Sequence, residues 1–396
     1  MARRAFIRVI SGGVVLAAGS GMLAGCAGFG VPPSATTAWN GPTADSSDVR
    51  RFALSYAILA PNPHNKQPWL ADLRVPEEIT LRLDQERLLP VTDPYGRQIL
   101  LGAGGFLELL TMAAAERGHR ALITLFPEGE PGTRLDAGPF ARLRLVPDRG
   151  VLRDPLFAQV LKRRTDRRAY DAARAIAPGD LAQLNASIVG LPIAFGLAGR
   201  ADASPDEKAK VEAIRAIAKE AWRIELTTEA PMMESMQVLR FGSAEIERYR
   251  DGIAITNPML VTLARLGFVE RNKFPAPNSQ ATVSQINGFN AVTDTTPAYL
   301  WMVTEGNTRR QQILAGRAYA RANLAGTAHG LVMHPNQQAL QEFAEVAGQY
   351  QAIHTLLGAP APRYTVQMLA RVGYLPANIP AASPAPRRGL EQHLVT

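Results

Sequence analysis

Two distant stretches of this chain are written in the same order. GFLELLTMAAAERGHRALITLFPEG (residues 105–129) and AYARANLAGTAHGLVMHPNQ (residues 318–337) each run a long small-residue helix into a Gly, a short apolar run, then Pro and a polar residue. A degenerate internal repeat of this kind restricts the fold to two related αβ units. Helices rich in Ala and Gly pack closely, so the pair is suited to the central seam of a two-fold-like arrangement. Chance likeness between two ordinary αβ units is the alternative at this point.

Periodicity and turn signals place the other elements, and together they give an α+β chain. Helices are predicted near residues 48–60, 97–117, 178–187, 309–330 and 337–357, with a short one over 160–170. Strands are predicted near 69–75, 80–84, 121–126, 140–146, 193–197, 298–304 and 365–374. Residues 204–296 read as helical at first, then polar and loop-like over NKFPAPNSQATVSQINGFNAVTD.

The chain begins MARRAFIRVISGGVVLAAGSGMLAGC. Arg3 and Arg4 precede an apolar run too short and too Gly/Ala-rich for a spanning helix, the pattern of a twin-arginine export signal. LAGC has the form of a lipobox, which makes Cys26 a lipidation site and the mature N-terminus; an ordinary secretory signal with a chance Cys is the plainer reading. Cys26 is the only cysteine, so no intrachain disulfide is possible. The expected organisation is a signal over 1–25, a flexible tether over 26–47, and two halves over 48–150 and 151–390. An exported protein, lipid-anchored and facing the periplasm or cell surface, is the expected product. The net charge of +8 over 396 residues includes Arg3, Arg4 and Arg8 of the signal. Without a basic stripe interleaved with aromatics, it does not suggest nucleic acid.

Two segments carry the chemistry. APNPHNKQPW (residues 60–69) has neither strand alternation nor a helical face; Pro61, Pro63 and Pro68 stiffen a loop rich in amide side chains. KRRTDRR (residues 162–168) and the tail PAPRRGLE are basic, and forked guanidiniums suit a phosphate dianion. A solvated helix face is the bland reading of such a basic run. GAGG (residues 102–105) lies inside a helix rather than after a strand, so it reads as close helix packing and not a dinucleotide loop. His329 and His334 lack metal-binding spacing, and no nucleophile elbow or hydrolase triad is present.

In order along the chain, APNPHNKQPW resembles the PSSxNxQPW loop of the nitroreductase family and KRRTDRR its Arg-x-Ser-x-Arg/Lys phosphate motif. LVMHPNQ stands at that family's turn under the flavin ring, and PAPRRGLE resembles its basic tail. The chain is most similar to the Acg-like subgroup, in which two halves are fused. The resemblance implies a nitroreductase-like fold, a monomeric pseudo-dimer, and one FMN. It implies ring contacts from Asn65 and Gln67, with Asn62, Pro63 and His64 beside them. It implies phosphate contacts from Arg163, Thr165, Arg167, Arg387 and Arg388, with Arg164 in the same motif, and flavin contacts from His334, Pro335 and Asn336. Pro63 departs from the motif and has no N–H to offer. No acid or base residue is required, so none is assigned as catalytic. The implied activity is electron transfer through FMN to nitro compounds, quinones or similar small acceptors, with NAD(P)H a candidate donor. Residues 231–296, with Met232, Met233 and Met236, suit a lid; a covered flavin makes a flavin-sequestering lipoprotein with little turnover the alternative.

Overall fold

The computed structural model describes residues 28–42 and 47–395. Helix α1 (Val49–Ala57) starts at Asp48, whose carboxylate accepts from the Arg50 amide, and it runs into the 60–69 loop. An antiparallel sheet follows. Strand β1 (Trp69–Asp72) pairs with β2 (Glu78–Leu83), helix α2 (Arg97–Glu116) comes next, and β3 (His119–Leu125) takes the far edge. β4 (Pro139–Pro147) returns between them, giving the order β1-β2-β4-β3.

The second sheet repeats that path. After α3 (Pro178–Ala186), β5 (Ala194–Ala198) forms one edge. A long insertion then supplies α4 (Pro205–Thr227), α5 (Glu229–Gln237), β6 (Leu239–Phe241), α6 (Gly242–Tyr249), β7 (Ile253–Ile255), α7 (Pro258–Arg265) and α8 (Gln280–Asp294). β8 (Ala298–Glu305) pairs with β5, and α9 (Arg309–Ala328) leads to the edge strand β9 (Val332–Pro335). After α10 (Ala347–Leu356), β10 (Tyr364–Gly373) fills the gap, giving β5-β8-β10-β9.

Helices α2 and α9 pack against each other at the centre, and α2 explains why so apolar a segment is not a membrane span. It is the one helix among the described residues long and apolar enough to cross a bilayer, yet 94% of its apolar window is buried within the protein. Each helix has 20 residues, starts on a buried Arg and ends before a left-handed Gly, Gly118 (φ 69°) or Gly330 (φ 72°). One constant step relates them: 309 − 97, 316 − 104 and 330 − 118 are each 212.

The contacts obey the same step. A Cβ on Gly104 would lie 2.0 Å from the Ile313 carbonyl oxygen, and one on Gly316 would lie 1.9 Å from that of Leu101. Arg97 donates to the Gln367 and Leu340 carbonyls in the second half, while Arg309 donates to those of Tyr95, Gly132 and Thr133 in the first. Contacts in which i meets j and j meets i are those of a two-fold axis. Glu108 breaks the symmetry: it accepts from Arg317 (2.6 Å) and Arg321 (2.7 Å), whereas Ala320 stands at its counterpart position.

Several expectations are corrected. Residues 28–42 of the expected tether are packed, with a 3₁₀ helix over Pro33–Asn40 and Trp39 only 6% exposed. The motif 163–168 is not helical; Thr165 forms a bridge to Met333 and the Asp166 amide donates to the Met333 carbonyl. Residues 280–294, expected as loop, are α8, because Ser279 caps the Thr282 amide and starts a helix inside a polar sequence. The helix expected over 337–357 is regular only from Ala347. Cys26 and the export signal lie outside the described residues.

Candidate functional site

The 60–69 loop holds three non-glycine residues at positive φ, namely His64 (48°), Asn65 (54°) and Gln67 (50°). Such backbone is costly unless it is fixed from several sides. Asn62 fixes it from within: its Oδ1 accepts from the Gln67 amide (2.8 Å) and its Nδ2 donates to the Ala60 carbonyl (3.1 Å). Gly102 of α2 supports it from below, since a Cβ there would stand 3.0 Å from that of Asn62 and 3.4 Å from Cδ of Pro63. The insertion and the tail hold the outside. Asn65 Nδ2 donates to the carbonyls of Gly252 (3.2 Å) and Pro386 (3.0 Å). Gln67 Nε2 donates to the Arg250 carbonyl (2.9 Å), and its Oε1 accepts from the Arg388 amide (2.9 Å). The side-chain amides of Asn65 and Gln67, expected as ring contacts, are engaged with protein here.

Arg387 is also engaged. All five guanidinium donors have acceptors: Nε bonds the Ile58 carbonyl, Nη1 bonds Asn65 Oδ1 and the Pro386 carbonyl, and Nη2 bonds the carbonyls of Leu59 and Ala60. It sits at the carbonyl end of α1, where a cation is favoured by the helix dipole. Arg388 donates through Nη2 to the Gln67 carbonyl (2.7 Å) and lies 3.1 Å from His393 Nδ1. The two tail arginines expected at a phosphate fasten the loop.

Two clusters remain open to a ligand. At one end, Arg163, Arg164 and Arg387 surround the Trp39 ring at 5.5, 4.7 and 5.2 Å. None of the three is paired with a carboxylate among the described residues, and Arg163 Nε is buried without a partner. Burial holds the Arg163 guanidinium down at about 10, and burial with the like charges of Arg163 and Arg164 holds Arg387 well below its ordinary value. Three close cations without a carboxylate partner among the described residues have the charge to attract an anion. Arg164 of the same motif joins them.

At the other end, Arg167 stands near both His64 and His334 and has no hydrogen-bond partner among the described residues. Its side chain is reached by solvent, and burial lowers its pKa. Burial, then the Arg167 charge, lowers His64 to about 4 and His334 well below its ordinary value, so both rings are neutral at pH 7. Nδ1 of each histidine is buried and unpartnered, as are both amide atoms of Asn336. Pro335 ends β9 between them, opposite Ala370 of β10. Thr165 lies beside Met333 on the same edge. Arg168, by contrast, turns to Asp166 (2.5 Å).

Trp39 and the 250–252 turn are the parts that sequence reasoning missed. A tryptophan inside a Pro- and Gly-rich segment was the available signal for the first. The lid expected over 231–296 does reach the loop through this turn. Cavities of about 180 and 410 Å³ lie elsewhere, the first beside Leu83 and Phe126 and the second beside Phe195 and Trp301.

No family model matches the chain. It is 28% identical over 356 residues to the Mycobacterium tuberculosis protein called "Putative NAD(P)H nitroreductase Rv3131", covering 87% of this chain and 91% of that one. The likeness runs the length of both chains. It is 34% identical over 122 residues to "Putative NAD(P)H nitroreductase acg" of the same organism, covering 31% of this chain and 36% of that one. Among solved structures, the FMN-dependent nitroreductase NfnB of Mycobacterium smegmatis in complex with NADPH gives a TM-score of 0.34 at 16% identity, over 58% of this chain and 92% of that one. A nitroreductase-like protein of Anabaena variabilis gives 0.38 at 14%, over 76% and 69%.

Proposed function

We propose that this chain is an FMN-dependent oxidoreductase of nitroreductase type, folded as a monomeric pseudo-dimer with one flavin site. The observation that carries this reading is the convergence of two ligand-seeking clusters, one cationic and one of unpartnered neutral donors and acceptors. The loop, the 163–167 segment and the β9 turn supply them from separate parts of the chain. The full-length likeness to a protein named as a nitroreductase agrees with it. Arg163 and Arg164 would hold the phosphate, with Arg387 reinforcing the field rather than donating. The Asn336 amide offers one donor set and one acceptor, as a pyrimidine edge requires, and the neutral His64 and His334 stand near Arg167 with unpartnered Nδ1 atoms. FMN, when bound, supplies the hydride and electron transfer; the protein binds, orients and excludes water. Nitro compounds and quinones are the proposed acceptors, with NAD(P)H as donor. The insertion's grip on the loop through Arg250 and Gly252 favours a second reading, a flavin binder with little turnover. We place the protein in the cell envelope, anchored through Cys26.

Purified protein should be yellow and release one non-covalent FMN per chain on denaturation. Anaerobic NAD(P)H should bleach it; a stable yellow colour would favour the second reading. A colourless protein that gains no visible absorbance on refolding with FMN would refute both.

A further inference from the structure

Residues 33–41 precede both halves in the chain, yet they lie on the cationic end of the site. Pro33 opens their 3₁₀ helix, and Gly41, at φ 78°, ends it by donating its amide to the Ala38 carbonyl. The Ala35 carbonyl accepts from the Arg387 amide (2.9 Å), and Trp39 Nε1 donates to the Ala385 carbonyl (2.8 Å). A Cβ on Gly41 would lie 3.5 Å from the Tyr56 hydroxyl and 3.6 Å from Cδ1 of Leu161, whose carbonyl accepts from Arg164. The segment is therefore fixed to the tail, to α1 and to the turn that carries the basic motif.

What the indole does there follows from charge. Guanidiniums repel one another, and most strongly where little water screens them. Arg163 and Arg387 are 2% and 3% exposed, and Trp39 above them is 6% exposed. The acceptors of the three arginines are carbonyls, the Thr165 hydroxyl and the Asn65 amide, none with a full negative charge. The negative face of an indole attracts a cation, and desolvation strengthens the attraction. Among the described residues, Trp39 is the one ring that all three guanidiniums share, at 4.7 to 5.5 Å. An aliphatic side chain in its place would fill space and supply no such attraction.

We infer that Trp39 is a positioning residue for a bound phosphate: the 33–41 segment clasps the cationic end of the site, and the indole holds Arg163 and Arg164 together against their repulsion. The anion then meets cations already gathered. The inference rests on the reading of this cluster as the phosphate end of an FMN site. It brings into that site a segment whose sequence reads as a loose tether.

The test compares Trp39→Leu and Trp39→Phe with the parent, each as the full chain in detergent. FMN and riboflavin binding are titrated by fluorescence quenching, and FMN release is followed by the recovery of flavin fluorescence on dilution. Trp39→Leu should weaken FMN roughly tenfold, mainly through faster release, and leave riboflavin as before. Trp39→Phe, which restores an aromatic face, should bind FMN within about threefold of the parent. Should Trp39→Leu not fold, Trp39→Met takes its place with the same expectation. Parent-like FMN binding by the aliphatic variant would overturn the inference. So would an equal loss for riboflavin, or a loss in Trp39→Phe as large as in Trp39→Leu, since either marks the ring as packing alone. A parent chain that binds no flavin, or binds riboflavin as tightly as FMN, would refute the phosphate reading beneath it, a result distinct from any confined to the variants.

Discussion

Arg163, Arg164 and Arg387 sit around one indole, but they are not equivalent. Arg387 is committed to the end of α1 and Arg163 gives one donor to the Leu59 carbonyl. Arg164 is half-buried and its Nη1 bonds only carbonyls of its own turn, those of Leu161 and Arg163. It is therefore the residue whose removal reports on phosphate with least damage to the fold. A hydrogen bond to a charged group is worth about 1.5–3 kcal/mol, so Arg164→Ala should weaken FMN binding by roughly ten- to a hundredfold. Riboflavin, which lacks the phosphate, should bind as before. Titration by flavin fluorescence quenching checks both; an equal loss for riboflavin would mean that this cluster does not read phosphate.

At the scale of elements, the α2–α9 seam depends on two glycines that no side chain can replace without moving a backbone. Ala normally stabilises a helix over Gly by about 1 kcal/mol. At Gly104 and Gly316 the added methyl would meet a carbonyl at about half a normal contact distance, and overpacking costs roughly 1–3 kcal/mol or more. Gly104→Ala and Gly316→Ala should each lower the urea midpoint, whereas Gly348→Ala, where nothing stands within 4 Å, should leave it unchanged or raise it. The seam was legible because Gly and Ala at helical spacing have one physical use, close approach. The loop was legible as rigid from its prolines. The partners of Asn65, Gln67 and Arg387 were not, because a side-chain amide or guanidinium bonds a carbonyl and a ligand with the same donors. Only the position of the tail decides between them. Helix α8 was missed for a similar reason: in a mostly polar sequence its Phe289 stacks on Trp222 of α4, ring centroids 4.8 Å apart, so its packing follows partners and not periodicity.

For the whole molecule, buried titratable groups set an acid limit. Burial lowers His64 and His354 to about 4, His393 to about 3, and His334 well below its ordinary value. A histidine that is harder to protonate when folded makes the unfolded chain bind more protons below pH 6.5, so native stability falls as pH drops from there towards 4. Two carboxyls act in the opposite sense. Burial raises Asp93 to about 6 and Glu225 to about 7, so each takes up a proton more readily in the folded state over that interval. Four histidines outweigh two carboxyls. The urea midpoint of the flavin-free protein should therefore be lower at pH 5 than at pH 7; a higher midpoint at pH 5 would show that the carboxyls dominate.

The two ends of the described chain close on the loop together. The Arg387 amide donates to the Ala35 carbonyl (2.9 Å), Trp39 Nε1 donates to that of Ala385 (2.8 Å), and the Val395 amide donates to that of Ala71 (2.9 Å). During synthesis the first of these partners emerges before the loop and the last only after both sheets. Until then the 60–69 loop lacks Pro386, Arg387 and Arg388, and only the Arg250 and Gly252 carbonyls hold its left-handed residues from outside. Both sheets and both central helices precede the tail in order of translation, so the scaffold can be in place while the site is still open. The surroundings of the loop are thus completed, in order of translation, after the scaffold on which the loop rests.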